Sequence, residues 1–227
     1  LTHVIAIGLD GFRKGWVVVT IDGDCRSIDF APDISWLASQ RFDHAAIDIP
    51  IGLPDNGDRL CDRLARAKLK PHGSRVFSGA RRWLWEEFRD PASANEEALR
   101  RGQTRVSLQL WHIGAKIMEV DAFVRAHQRF DLREAHPELV FLRLNAGEPL
   151  PSKHTKQGLA LRCELLLANG FADLSEWLTV RRRGTGAKRD DILDACAVAL
   201  AANEPAGSVP DSEAPRDPCG LPMQIWF

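Results

Sequence analysis

The chain has 227 residues, with 30 Lys and Arg against 31 Asp and Glu and a formal net charge of −1. That length suits one large domain with a full core, and the charge balance excludes a global pull toward nucleic acid or membrane, so any polyanion contact needs a local basic patch. No run is long and apolar enough to span a membrane, and five singly scattered cysteines argue against a disulfide framework or zinc knuckle, which suits a reducing, cytoplasmic setting.

The N-terminal "LTHVIAIGLD" lacks a basic leader and reads as a strand that starts at once. "THVIAIGLDG", "GWVVVTIDGD" and "CRSIDFAP" are β-rich runs separated by short turns, the pattern of an antiparallel meander. Asp33 can cap a short helix in "PDISWLASQ". "HAAIDIPIGLP" is apolar almost throughout, as in a strand buried on both faces, with Asp48 near its end and Pro50 and Pro54 beyond. Residues 56–108 are rich in Arg, Lys and Glu without a long apolar stripe, and read as a helical insertion. Leu110, Ile113, Ile117, Val120 and Val124 then step by threes and fours, which predicts an amphipathic helix.

"RFDLREAHPELVFLRL" predicts a fifth strand that turns at His136-Pro137. "TKQGLALRCELLLANG" predicts a helix stopped by Asn169-Gly170, and "DLSEWLTVRR" another. The basic loop "RRRGTGAKR" leads into a final long helix, "DDILDACAVALAAN". Residues 205–227 form a C-terminal strap, Pro-rich at first and ending in "GLPMQIWF". Three antiparallel strands followed by strand-helix alternation imply a mixed sheet flanked by helices, within a single domain over 1–227.

Acidic residues fall at the ends of these elements. Asp10 ends the first strand, Asp48 the fourth and Glu134 the fifth. Asp191 and Asp194 share one face at the start of the last helix. If the first and fourth strands are neighbours, these carboxylates converge. Carboxylates in one place repel unless a counter-charge joins them. Hard divalent ions, Mg²⁺ or Mn²⁺, suit such oxygen donors, and two of them can drive phosphodiester cleavage. Each acid also has a structural reading. Asp10-Gly11 is a turn signal, and aspartates at a helix start favour the helix dipole, with Asp190 the best candidate for a cap.

Several of these pieces resemble a known fold. "GLDG" followed by "GW", a buried strand carrying Asp, and "DILDACAVAL" resemble the RNase H-like fold, the last piece being similar to the final helix of RuvC-type Holliday-junction resolvases. With "DIPIGLP", "CDRLAR", "SRVFSGARR", "SLQLWHIGAKIMEVD", "EAHPELVF", "KHTKQGLALR" and "GLPMQIWF" in order, the whole chain resembles domain of unknown function family 429, a family of predicted nucleases with that fold. The resemblance implies a five-stranded sheet of order 3-2-1-4-5 and a metal site at its edge. It carries over Asp10, Asp48, Glu134, Asp191 and Asp194 as catalytic acids, with Asp10, Asp48, Asp194 and Glu134 as metal ligands. Glu134 departs from the usual third acid of the fold, and Glu138 in the same turn could replace it.

A nuclease must also hold phosphate. Arg75, Arg81 and Arg82 lie around a Ser-Gly turn, Lys153 and Lys156 lie around a helix start that Thr155 can cap, and Arg189 ends the basic loop directly before the acidic helix. The alternative is that such residues only cover solvent-facing helices. His136 could shuttle a proton, although a His before Pro is more often structural. The expected function is Mg²⁺- or Mn²⁺-dependent hydrolysis of RNA or DNA. The alternatives are an ATPase or phosphotransferase related to actin-like domains, and a non-catalytic nucleic-acid-binding module. The C-terminal "MQIWF" could serve as a homodimer edge.

Overall fold

Two short polar turns fold the first three strands into a meander. The computed structural model describes residues 4–227; Thr2 and His3, at the head of the first predicted strand run, lie outside the described residues. β1 (Ile5–Phe12), β2 (Gly15–Asp22) and β3 (Cys25–Ala31) pair antiparallel. Asp33 caps the following 3₁₀ turn, Ile34–Ser39, by accepting from the Ser35 N–H at 3.0 Å. β4 (His44–Ile47) is next. Five helices follow: α1 (Leu60–Lys68), α2 (Trp83–Glu87), α3 (Pro91–Arg100), α4 (Leu108–His112) and α5 (Gly114–Ala126). β5 (Leu132–Ala135) then leads to α6 (Pro137–Leu144), α7 (Lys156–Ala168), α8 (Leu174–Glu176) with a π-helical turn Trp177–Arg181, and α9 (Arg189–Asn203). Two short strands close the chain, β6 (Ser208–Val209) and β7 (Ile225–Trp226).

The sheet order is β3-β2-β1-β4-β5-β7-β6, and β4 runs parallel to both β1 and β5. The predicted 3-2-1-4-5 core is therefore present, and β7 and β6 extend it. β6 has no counterpart in the sequence reading, because two residues are too few to show an alternating pattern.

The chain gathers into two compact units. One holds 4–48, Arg129–Gly207 and Trp226–Phe227; the other holds Ile49–Gln128 and Ser208–Ile225. Residues 56–108 fall inside the second unit, which also takes α5 and most of the 205–227 strap.

α9 is the centre of the first unit. Its residues from Ile192 to Ala202 are all buried, as expected of a helix that is apolar all round. It packs on β1, β2, β4, α6 and α7. The approach to β1 is set by Gly8. A Cβ there would lie 2.2 Å from the Ala199 nitrogen and 2.5 Å from the Ala195 oxygen. Backbone meets backbone, so only hydrogen fits.

In the second unit, Arg82 is buried between two carboxylates. It donates to Asp121 Oδ1 at 2.8 Å and to Asp217 Oδ2 at 2.6 Å. The helix predicted across residues 110–124 divides at Ile113. Gly114 opens α5 with the Trp85 indole against it: a Cβ there would fall 1.9 Å from Trp85 Nε1. That indole donates to the Trp111 carbonyl at 3.3 Å, satisfying a group at the end of α4. The 3-4 spacing of the apolar residues continues through the break, which is why periodicity alone misses it.

Gly8→Ala is expected to destabilise the protein by about 1–3 kcal/mol or more, since α9 must lift from β1. Thermal denaturation checks this; a melting temperature equal to that of the native chain would mean the contact is loose.

Candidate active site

β1 and β4 are parallel with Leu9 opposite Ile47, and the Asp48 N–H donates to the Leu9 carbonyl at 3.1 Å. The next residues, Asp10 and Asp48, therefore stand side by side. Because side chains alternate along a strand, Asp10 shares the face of Gly8, the face on which α9 lies. α9 brings Asp194 to the same place from its second turn. Asp10 is 8% exposed and Asp194 3%.

Among the described residues, one side-chain cation contacts Asp194. Lys153, from the loop before α7, places its ammonium 2.5 Å from Asp194 Oδ2 and 3.9 Å from Asp190 Oδ2. Asp194 Oδ1 is buried with no hydrogen-bond partner. Burial holds the Asp10 pKa well above the ordinary carboxylate value, and the charges of Asp194, Asp48 and Asp191 add to it. Burial, then the Asp194 charge, push Asp48 up to about 8. Asp194 is also raised, by burial first, with Lys153 opposing. Burial pulls Lys153 down, but Asp194, Asp10 and Asp190 outweigh it and the ammonium is held more firmly than usual. One positive charge thus faces a surplus of negative charge.

The donor chemistry suits a hard divalent ion: all the groups are carboxylates, and one buried oxygen lacks a partner. Among the described residues, however, no three His, Cys, Asp or Glu side chains stand ready-grouped around an ion. The cation in contact with Asp194 is Lys153.

This arrangement can be set against known proteins. A family model, described as "Protein of unknown function (DUF429)", matches residues 8–215. The chain belongs to this family. The match takes in every acid of the cluster and the basic residues considered with it. No curated protein and no solved structure matches the chain. No helix among the described residues is long and apolar enough to cross a membrane.

The other predicted residues of this family member fall in several places. Glu134 is buried at the end of β5, but it is registered with Ile47 rather than with Asp48. Alternation therefore turns it to the sheet face opposite Asp10 and Asp48. Glu138, on α6, is the nearer acid: its charge raises both Asp48 and Asp194. Arg162 of α7 holds it at 2.6 Å. Asp191 accepts the Lys188 N–H at 2.6 Å, so it, rather than Asp190, closes the start of α9. His136 caps α6 by accepting the Glu138 N–H on Nδ1 at 3.3 Å.

Thr155 caps α7 through the Gly158 N–H at 3.0 Å, leaving Lys156 as the exposed first residue of that helix. Arg189 opens α9 and is exposed. Arg75 and Arg81 belong to the second unit. Arg81 is fully buried there, donating to the Thr104 carbonyl at 2.5 Å and lying over the Trp83 ring. The contact that sequence reasoning missed is Lys153 with Asp194. The two are 41 residues apart, and no local pattern signals the pairing.

In the unfolded chain Asp48 loses its proton near its ordinary pKa, whereas in the folded protein it keeps it up to about 8. Between those values the folded state binds more protons, so stability falls as pH rises. The melting temperature of the ion-free protein is expected to decline from about pH 5 to about pH 8 and then level off. Asp48→Asn should flatten part of that slope. Denaturation across this range, native against variant, is the measurement; identical slopes would show that the Asp48 pKa is not raised in the folded protein.

Proposed function

We propose that this protein is a Mg²⁺- or Mn²⁺-dependent nuclease, hydrolysing phosphodiester bonds of RNA or DNA at the Asp10, Asp48 and Asp194 cluster of an RNase H-like fold. One observation carries the reading: buried Asp10 of β1 and Asp194 of α9 converge with half-buried Asp48, just past β4, around the Lys153 ammonium, and one Asp194 oxygen has no partner. Unpaired buried carboxylates are costly, and a site that accepts cations gives them a use.

Asp10, Asp48 and Asp194 would hold the ions. When bound, a divalent ion makes water a stronger nucleophile and offsets charge on the phosphate. Water adds to phosphorus and gives up a proton, the P–O ester bond breaks, and the leaving oxygen takes up a proton. Lys153 keeps its proton, so it acts as a fixed positive charge beside the reacting phosphate and not as a base. Asp191 secures the first turn of α9 and with it the position of Asp194. Arg162 pairs with Glu138 at the margin of the cluster. His136 is engaged through Nδ1, which leaves the ring positioned by α6.

The first test is a cleavage screen with Mn²⁺, on single-stranded RNA, an RNA–DNA hybrid, single-stranded DNA, a four-way junction and ATP, native against Asp10→Asn. The expected outcome is metal-dependent cutting of at least one polymer, lost by a factor of about 10² or more in the variant. The variant should melt at the native temperature or higher, since it relieves repulsion. ATP turnover without polymer cleavage would favour a phosphotransferase instead.

A second test reads metal without activity. Lys153→Met removes the counter-charge of Asp194 and is expected to cost about 1–3 kcal/mol in ion-free buffer. Mn²⁺ should then raise its melting temperature more than it raises the native one. Equal shifts would mean that ions bind elsewhere.

A further inference from the structure

The first unit carries a hollow of about 670 Å³ whose charged lining is entirely basic: Lys14, Arg182, Arg183, Lys188 and Arg189. A threonine, an alanine and two glycines make up the rest of its wall, and no carboxylate lines it. Lys14, Arg183 and Arg189 are exposed and form no ion pair among the described residues. Arg182 has a different task. Its guanidinium donates to the Leu178 carbonyl at 3.0 Å and the Ala187 carbonyl at 3.3 Å, bracing the loop that forms the wall. Gly184 and Gly186 take φ of 81° and 93° there, which favours glycine.

Lys14 comes from the β1–β2 turn, far away in sequence. It lies along the loop: a Cβ at Gly186 would sit 3.5 Å from its Cδ. Five like charges around one hollow repel one another unless an anion joins them. In a chain of net charge −1, this concentration is local.

Two segments that line the hollow also carry acids of the proposed active site. Lys14 follows Asp10 by four residues at the end of β1, and Arg189 precedes Asp194 by five on α9. At 1.5 Å per residue that helical interval is about 7.5 Å, on the order of two nucleotide rises of a strand.

We propose that this hollow is a subsite for the sugar-phosphate backbone of a nucleic-acid strand, holding phosphates next to the nucleotides that are cut. It rests on the nuclease reading for its purpose but not for its binding, and it makes the substrate a polynucleotide instead of a single nucleotide. Thr179 and the exposed backbone of the glycine loop offer no base-specific pocket, so the contact is to phosphate, independent of sequence.

The test is fluorescence anisotropy of a labelled single-stranded oligonucleotide in EDTA, where nothing is cut. Native protein is compared with Lys14→Gln/Arg183→Gln/Arg189→Gln, with Arg183→Gln alone, and with a charge-matched control in the second unit, Arg63→Gln/Arg89→Gln/Arg105→Gln. The hollow triple is expected to lose affinity about ten-fold or more and to lower the salt slope of log K by about 2, since each single-strand phosphate contact contributes about 0.7. The single variant should fall between, and the control should stay near native. A hollow triple that binds like the control overturns the proposal, as does full competition by inorganic phosphate or ATP at oligonucleotide concentrations. Weakened binding without cleavage of any polymer would leave the hollow standing and remove the nuclease reading. Cleavage with unchanged binding by the hollow triple would do the reverse.

Discussion

The first unit depends on the close approach of α9 to β1. Gly8 has no Cβ, and α9 presents Ala195 and Ala199 to it, so two backbones meet at a distance that no side chain allows. Every consequence for the site follows from that contact. Asp10 lies two residues beyond Gly8 on the same face of the strand, and Asp194 lies one residue before Ala195 on the helix. Bringing the backbones together brings the carboxylates together, at a cost the packing must cover. Burial of the long run from Ile192 to Ala202 supplies the opposing free energy.

The electrostatics of the cluster are those of a cation site with a tethered cation already in it. Lys153 neutralises part of the charge and leaves the rest as raised carboxylate pKa values. Neighbouring residues that looked equivalent have separate tasks. Asp191 closes the start of its own helix, His136 does the same for α6, and Glu138 is paired with Arg162. These contacts keep the surroundings of the cluster rigid, so that the charge surplus is concentrated in Asp10, Asp48 and Asp194.

Charge is also segregated within the first unit. Asp10 and Asp194 are buried and Asp48 half-buried, while Lys14, Arg183, Lys188 and Arg189 are exposed around the hollow. The arginines of the second unit are used differently. Arg82 is buried between Asp121 and Asp217, and Arg81 lies against Trp83. Basic residues that read alike in sequence thus divide into structural and solvent-facing sets according to burial.

Much of the fold was legible in the sequence because its signals are local. Alternation and glycine turns mark the meander, Asp33 and Thr155 mark helix starts, and Asn169-Gly170 marks a stop. The family resemblance supplied the strand order and the acids to watch. What the sequence could not supply depends on contacts between distant residues. Register alone turned Glu134 away from Asp48, because a shift of one residue reverses the face of a strand. Tertiary packing alone brought Lys153 to Asp194 and Lys14 to Gly186, and an indole against Gly114 broke a helix whose periodicity runs on unbroken. The sequence by itself determined which elements form and where their acids lie along the chain, since these follow from neighbours a few residues apart. Which of those acids meet, and which cation they meet, was decided only when strands paired and α9 came down on Gly8.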